Sequence, residues 1–176
     1  IIIDAHAHLY DCFNPAAALR AAANHLTPPG ADPAHTIRAC ALTEAADCRF
    51  FQRLENGDLQ LSNDWKITSG HPFSLELTAP DGTPLWLLAG RQIKTAERLE
   101  ISAFFFHNSI PDGTPIRDAL HRILDANGVP CLNWALGKWL FQRGRLVEEL
   151  IAEHAGHLLV CDSSMRPVGW PEPRAF

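Results

Sequence analysis

The sequence lacks the features that would link it to membranes, disulfide scaffolds or nucleic acids. None of its apolar runs approaches the roughly 18 residues that a membrane-spanning helix needs. Its five cysteines are widely spaced and form no Cys-x-x-Cys pair, which favours a reducing compartment. The net charge of -5 is opposite in sign to the basic face of nonspecific nucleic-acid binders. We therefore expect a cytoplasmic protein that binds neither membranes nor nucleic acid.

Several common catalytic motifs are also absent. The chain has no Gly-x-Ser-x-Gly elbow, no Gly-x-x-x-x-Gly-Lys-Ser/Thr phosphate loop and no Gly-x-Gly-x-x-Gly turn, which argues against the serine hydrolases, P-loop proteins and dinucleotide-binding enzymes that use them. A Cys-His nucleophile pair stays open, although no spacing points to one. Metal-assisted chemistry is the main alternative to examine.

Local patterns indicate one globular domain in which strands alternate with helices. The 176 residues are 47% hydrophobic and 20% charged, which is ordinary for a chain able to bury a core. Ile1–Ala5 predicts a fully buried strand, and Asn14-Pro15 has the form of a helix start. Further strands are predicted at 36–42, 129–134 and 157–162. Because residue 1 already belongs to a strand, we expect a fragment of a longer chain.

The middle of the chain has a different pattern. Residues 65–106 alternate between apolar and polar side chains, and Asp81-Gly82 interrupts them with a strong hairpin signal. We expect at least three antiparallel strands there. The helix–strand rhythm on either side predicts an α/β fold, either an open sheet or an incomplete (β/α) barrel. In both architectures function gathers at the carboxyl ends of the strands.

Polar residues follow several of the predicted strands, where they would share one rim. We expect that rim to include His6, His8, Glu44, Gln92, Asn133 and Asp162, with Lys138 close by. His6 and His8 would lie on the same face of a strand, about 6.5–7 Å apart. Their imidazoles could then bind zinc, manganese or iron, with Asp4 orienting one ring. The alternative is a pair of partly exposed histidines satisfied by backbone carbonyls.

Two carboxylates are candidates for the same chemistry. Glu44 fits an oxygen ligand or a general base, but a carboxylate that compensates a helix N-terminus explains it equally well. Asp162 follows four apolar residues and fits a metal-bound or water-activating group, the alternative being an Asx turn. Lys138 and Arg145 lie in a basic stretch that could hold an anion such as phosphate. The alternative for the arginines is a solvated basic loop.

These residues resemble a known family. The segment "IIIDAHAHLY" resembles the first motif of the PHP (polymerase and histidinol phosphatase) domain, and equally the first strand of the amidohydrolase superfamily. The segments "LWLLAGRQIKTAERLEISAFF" and "IRDALHRILDANGVPCLNW" are similar to later PHP motifs. The resemblance implies a single domain over 1–176 that forms a distorted or incomplete (β/α) barrel of PHP type. Residues 65–106 would then form a hairpin insertion, and the C-terminus would be truncated.

The resemblance also implies a metal site, with departures from the family pattern. Thr43-Glu44-Ala45 stands where the family has Thr-Asp-His, Gln92 where it has a bridging glutamate, and Asn133 where it has histidine. Glutamine brings no charge to a bridge between two cations. We therefore expect one divalent ion, zinc, manganese or iron, or none, rather than a full cluster.

The leading expectation is a PHP-like metal-dependent phosphoesterase that acts on a small, phosphorylated substrate through a metal-activated water. The expected metal ligands are His6, His8, Glu44 and Asp162. The expected catalytic residues are Asp162, Glu44 and Lys138, and the expected substrate contacts are Arg145, Asn133 and Gln92. Two alternatives stay open. One is a non-catalytic binding or scaffold protein with a degraded metal site, and the other is an amidohydrolase-type enzyme that cleaves a C–N bond.

Overall fold

A computed structural model describes residues 1–32, 35–62, 64–135, 137–162 and 169, apart from the side chains of residues 69 and 70. The chain divides into two compact units, Ile1–Gly90 and Arg91–Phe176. The first holds a five-stranded sheet, and the second a four-stranded sheet whose first strand starts at Gly90. Across the described ranges, no helix is both long and apolar enough to cross a membrane.

The first unit combines five strands with two helices. Its elements are β1 (Ile2–Ala7), α1 (Pro15–His25), β2 (Arg38–Leu42), α2 (Phe50–Glu55), β3 (Lys66–His71), β4 (Ser74–Thr78) and β5 (Pro84–Leu88). The strand order is β1-β2-β5-β4-β3. Strands β1, β2 and β5 pair in parallel, whereas β5, β4 and β3 pair antiparallel.

The core of the first unit lies on one face of this sheet. Apolar side chains of α1 and α2 pack there against the alternate residues of the central strands. The buried members include Leu19, Ala23, Phe51, Leu54, Cys40, Leu42, Leu75, Leu77, Leu85 and Leu87. Each large side chain buried in this way contributes about 1.5–3 kcal/mol, so the two short helices are held mainly by packing.

Strand β1 is an edge strand, so the prediction that it is fully buried was wrong. It has a hydrogen-bonded neighbour only on the β2 side, and Ile3 is 50% exposed. The β-branched run gives the strand its conformation but not its depth, because depth depends on which strand pairs beyond it. This edge position leaves His6, near the end of β1, exposed to solvent and His8, just after β1, partly exposed.

The second unit places two helices on one face of its sheet. Its elements are β6 (Gly90–Lys94), β7 (Glu100–Phe104), α3 (Ile116–Asp125), β8 (Val129–Asn133), α4 (Gln142–Glu153) and β9 (Leu159–Cys161). The strand order is β6-β7-β8-β9, with β7 and β8 antiparallel and β8 and β9 parallel. The core contains Ile93, Ile101, Leu132, Leu120, Ile123, Val147 and Leu150.

The predicted (β/α) barrel is contradicted. The described residues form mostly β-sheet, in two separate mixed sheets of five and four strands with four short helices, and these sheets do not close into a barrel. A (β/α) barrel needs a crossover helix between each pair of neighbouring parallel strands. Five strands, β3 to β7, follow one another here without a helix.

Several local predictions are confirmed. Helix α1 begins at Pro15, and the side chain of Asn14 accepts a hydrogen bond from the amide of Ala17. Gly82, with φ of 84°, lies in the turn that joins β4 to β5. Helix α2 is short, with only the six residues from Phe50 to Glu55.

Candidate functional site

A β-bulge lies in β1 between Asp4 and Ala7, an interval that includes His6. Asp4 pairs with Cys40 and Ala7 pairs with Leu42, so β1 uses one more residue than β2 over this interval. The amide of His6 donates to Asp4 Oδ1 at 3.0 Å. Asp4 therefore supports the backbone of the bulge, and the orienting role towards an imidazole predicted for it stays a prediction. Bulges commonly redirect a side chain at functional sites.

The imidazoles of His6 and His8 converge at this point. Their Nε2 atoms are 3.2 Å apart, and the ring centroids are separated by 5.0 Å at 74°. Two nitrogen ligands at ordinary zinc distances and a tetrahedral angle are about 3.3 Å apart. The 3.2 Å contact is a hydrogen bond between the two rings, and its length also matches the separation of a chelating pair, so a cation could take the place of the shared proton.

Thr43, at the end of β2, joins the pair from below. It is fully buried, its amide donates to Ala7 O at 2.8 Å, and Oγ1 lies 3.2 Å from Ala7 O and 3.4 Å from His8 Nε2. A hydroxyl that donates to a carbonyl can still accept from an imidazole N–H. Thr43 thus ties the end of β1 to β2 and fixes the His8 ring.

The contacts of Glu44 fit the alternative considered for it, a carboxylate that compensates a helix N-terminus. Its side chain is buried, at 5% exposure, and Oε1 accepts the amide of Phe51 at 2.8 Å. That amide belongs to the first turn of α2, where a carboxylate offsets the helix dipole. Its predicted roles as ligand and base stay predictions. Across the described ranges, no three His, Cys, Asp or Glu side chains gather as a metal-ligand group.

A row of rings leads from the histidines to a small cavity. Tyr10 stacks on His8 at a centroid distance of 5.8 Å and an angle of 10°, and Phe13 lies 6.1 Å from Tyr10. Tyr10, Phe13 and Phe50 line a cavity of about 150 Å³. This cavity was not predicted from the sequence, although the aromatic residues just after the histidines, Tyr10 and Phe13, could have indicated it.

One charged pair lines the same cavity. Arg53 Nη1 lies 2.6 Å from Asp11 Oδ1, and both residues contribute to the cavity wall. The Asp11 side chain is 86% exposed, so water competes with this ion pair and its strength is modest. Among the described residues that line the cavity, Arg53 is the one with a cationic side chain. Its guanidinium has five N–H donors.

Two other predicted residues, Gln92 and Asn133, lie in the second unit on the sheet face opposite its helices. Ile93 and Ile101 point into the core, so their neighbours Gln92 and Ser102 face the other way. Asn133 Nδ2 donates to Ser102 Oγ at 2.8 Å. Asn133 is only 4% exposed, and its Oδ1 has no hydrogen-bond partner among the described residues.

Charge at this face is paired. Lys138 Nζ forms an ion pair with Glu100, so the lysine predicted to neutralise phosphate already has a carboxylate partner.

Arg145 is exposed in the first turn of α4. Asp162 directly follows β9 and is half-buried. The predicted catalytic role of Asp162 and substrate roles of the other residues stay predictions.

The buried cysteines do not behave as nucleophiles. Burial, and then the charge of Asp4, raises the pKa of Cys40 to about 12. A hydrogen bond to Cys161, followed by burial, raises the pKa of Cys131. A thiol needs its thiolate form to attack, and both pKa values lie far above neutral pH. The open possibility of a Cys-His pair therefore has no support from these two residues.

No family model, no curated protein and no solved structure matches the chain. The resemblance to the PHP family stays a prediction that depends on the residues quoted for it. Conclusions about function consequently rest on the geometry around His6 and His8.

Proposed function

We propose that this protein is a metal-dependent hydrolase that binds one divalent ion through His6 and His8 and cleaves a phosphoester. The observation that carries the proposal is the 3.2 Å separation of the two Nε2 atoms. Two imidazoles suit zinc, manganese or iron. An ion of this kind lowers the pKa of its water towards ~7 and so supplies hydroxide at neutral pH.

The residues around the pair have separate tasks in this proposal. Thr43 ties the end of β1 to β2 beside His8, and Arg53 exchanges its exposed Asp11 partner for the anionic phosphoester in the neighbouring cavity. In hydrolysis a water oxygen bonds to phosphorus, the bond from phosphorus to the leaving oxygen breaks, and that oxygen takes the proton. The exposure of His6 at the end of an edge strand gives the substrate access.

Metal binding is the first test. A tag-free preparation is incubated with Zn²⁺, Mn²⁺ or Fe²⁺, passed through a desalting column and analysed for metal by elemental analysis. We expect about one ion per chain, and a loss of affinity of at least 10-fold in His6→Ala and His8→Ala. His25→Ala is the matched control, because His25 is exposed at the end of α1 in the same unit. A metal-free wild-type protein, or an equal loss in the control, would refute the proposal.

A non-catalytic binding or scaffold protein is the second candidate. The observation in its favour is Glu44, whose carboxylate bonds to the first turn of α2 where the resemblance implies a metal ligand. The two candidates differ in turnover. The metal-loaded protein is assayed on phosphoester, amide and lactone substrates. Phosphoester cleavage that is lost in His8→Ala supports the hydrolase, amide cleavage supports the amidohydrolase alternative, and binding without turnover supports the scaffold.

A further inference from the structure

The cavity beside the histidine pair has the size of one aromatic ring. Its volume is about 150 Å³, about the size of a cavity that holds benzene, but it is partly open to solvent and its lining includes the ion pair of Asp11 and Arg53. A nucleotide or an oligosaccharide needs a pocket of roughly 300 Å³ or more. The cavity therefore selects a single ring or a group of similar size.

The lining favours an aromatic occupant over a flexible aliphatic one. Tyr10, Phe13 and Phe50 present ring surfaces to the cavity, with Leu59 completing the apolar wall. Aromatic pairs with centroids 4.5–7 Å apart gain about 0.5–1.5 kcal/mol beyond the burial of apolar area. His8, Tyr10 and Phe13 already stand at such spacings from one another. A further ring in the cavity would extend this row.

Position and charge connect the cavity to the histidines. Tyr10 both lines the cavity and stacks on His8, so a ring bound there lies one side chain away from the proposed metal. Arg53 lies in the same wall, paired with the exposed carboxylate of Asp11, and its remaining N–H donors fit a substituent with negative charge. A phosphate attached directly to the ring would compete with Asp11 for Arg53.

We infer that the substrate is an aryl phosphate whose aromatic ring binds in the cavity lined by Tyr10, Phe13 and Phe50. The ring-binding part is independent of metal, whereas the role as a substrate rests on the proposed function. The reaction consumes water and an aryl phosphate, breaks the bond between phosphorus and the aryl oxygen, and releases a phenol and inorganic phosphate. The phenol is the group that the cavity holds.

Tyr10 provides a direct probe, because the chain contains a single tyrosine. The full chain labelled with 3-fluorotyrosine gives one protein ¹⁹F resonance, located in the wall of the cavity. We expect phenyl phosphate and phenol to shift this resonance saturably in metal-free buffer. Methyl phosphate, which has the anion without the ring, should bind at least 10-fold more weakly than phenyl phosphate. Equal binding of methyl and phenyl phosphate, or no saturable shift with either ring compound, would overturn the inference.

Two leucine variants separate ring binding from metal binding. Leu59→Phe adds volume at the cavity wall and should abolish the shift with phenol while metal content stays at the wild-type level. Leu61→Phe is the matched control, because Leu61 packs on the same core but is not among the residues that line the cavity. Metal uptake with no ring binding overturns the inference and leaves the proposed hydrolase standing. Ring binding without metal uptake supports the cavity assignment and refutes the hydrolase.

Discussion

The side chains of His6 and His8 converge at the end of β1. Residues i and i+2 of a strand point the same way with their backbones about 6.5–7 Å apart, and two imidazoles are long enough to close that distance. The bulge between Asp4 and Ala7 includes His6, and the two Nε2 atoms lie 3.2 Å apart at hydrogen-bond distance. A metal ion bound by both rings would have to replace that hydrogen bond.

Thr43 should compete with a metal ion for His8. Thr43→Val keeps the shape of the side chain and the amide bond to Ala7 O, but it removes the hydroxyl that contacts His8 Nε2. That nitrogen is the proposed ligand atom, and while it donates its proton to a hydroxyl it cannot bind a cation. Loss of a competing hydrogen bond worth about 1 kcal/mol should raise the zinc affinity about fivefold. Zinc affinity is measured by competition with a chromogenic chelator.

Thr43→Ser is the matched control for this prediction, because it restores the hydroxyl without the methyl group. Its zinc affinity should return to within about threefold of the wild type. A purely structural role would instead leave Thr43→Val with normal zinc affinity and only a lower free energy of unfolding.

The candidate site could be predicted from the sequence only in part. The His-x-His spacing predicts two imidazoles on one face, and the two rings do lie together, whereas their role as metal ligands stays a prediction. The bulge in β1 depends on pairing with β2, which the local pattern does not show. Acidic residues near strand ends were harder to assign. Glu44 binds the amide of Phe51 and Glu97 binds the amide of Ile116, so both carboxylates serve helix N-termini, a use that resembles a ligand position in sequence.

Among the elements, those specified by local chemistry were predicted best. Asn14 caps α1 through its own side chain, and Gly82 provides the positive φ that the β4–β5 turn requires. Both signals act over four residues or fewer. The exposed edge position of β1 was missed because an edge strand and a central strand have the same local pattern, and only the partners in the sheet distinguish them.

Helix α4 contains a glycine whose replacement should reverse the usual effect. In a helix interior, Gly→Ala normally stabilises by about 0.5–1 kcal/mol. At Gly144 an added Cβ would lie 2.7 Å from the carbonyl oxygen of Trp139, a backbone atom that cannot move without shifting its segment. We expect Gly144→Ala to destabilise by about 1–3 kcal/mol, measured as a lower midpoint of thermal unfolding.

Glu148→Ala in the same helix is the comparison for Gly144→Ala. Glu148 is exposed, and surface replacements of this kind usually stay within about ±0.5 kcal/mol. A rise in the midpoint for Gly144→Ala would mean that the segment at Trp139 adapts, and would contradict the prediction.

For the molecule as a whole, the predicted barrel failed because sheet partnership is not a local property. The helix–strand units on either side of the antiparallel section were predicted to share one open sheet or incomplete barrel, but their strands belong to two sheets. In the structure β5 inserts beside β2, and β6 starts a second sheet only two residues after β5 ends. No turn motif in that short interval marks the change of sheet.

The presence of two apolar clusters without a common member leads to a prediction about cooperativity. Leu77 lies in the first cluster and Leu120 in the second, and neither is exposed. Leu→Ala at either position should cost about 2–5 kcal/mol through lost burial and a residual cavity. Because regions with separate cores open as separate units, Leu77→Ala should speed amide hydrogen exchange mainly in residues 1–90, and Leu120→Ala mainly in 91–176. Hydrogen exchange followed by mass spectrometry measures both regions in one experiment. Faster exchange across the whole chain in each variant would show a single cooperative unit and contradict the prediction.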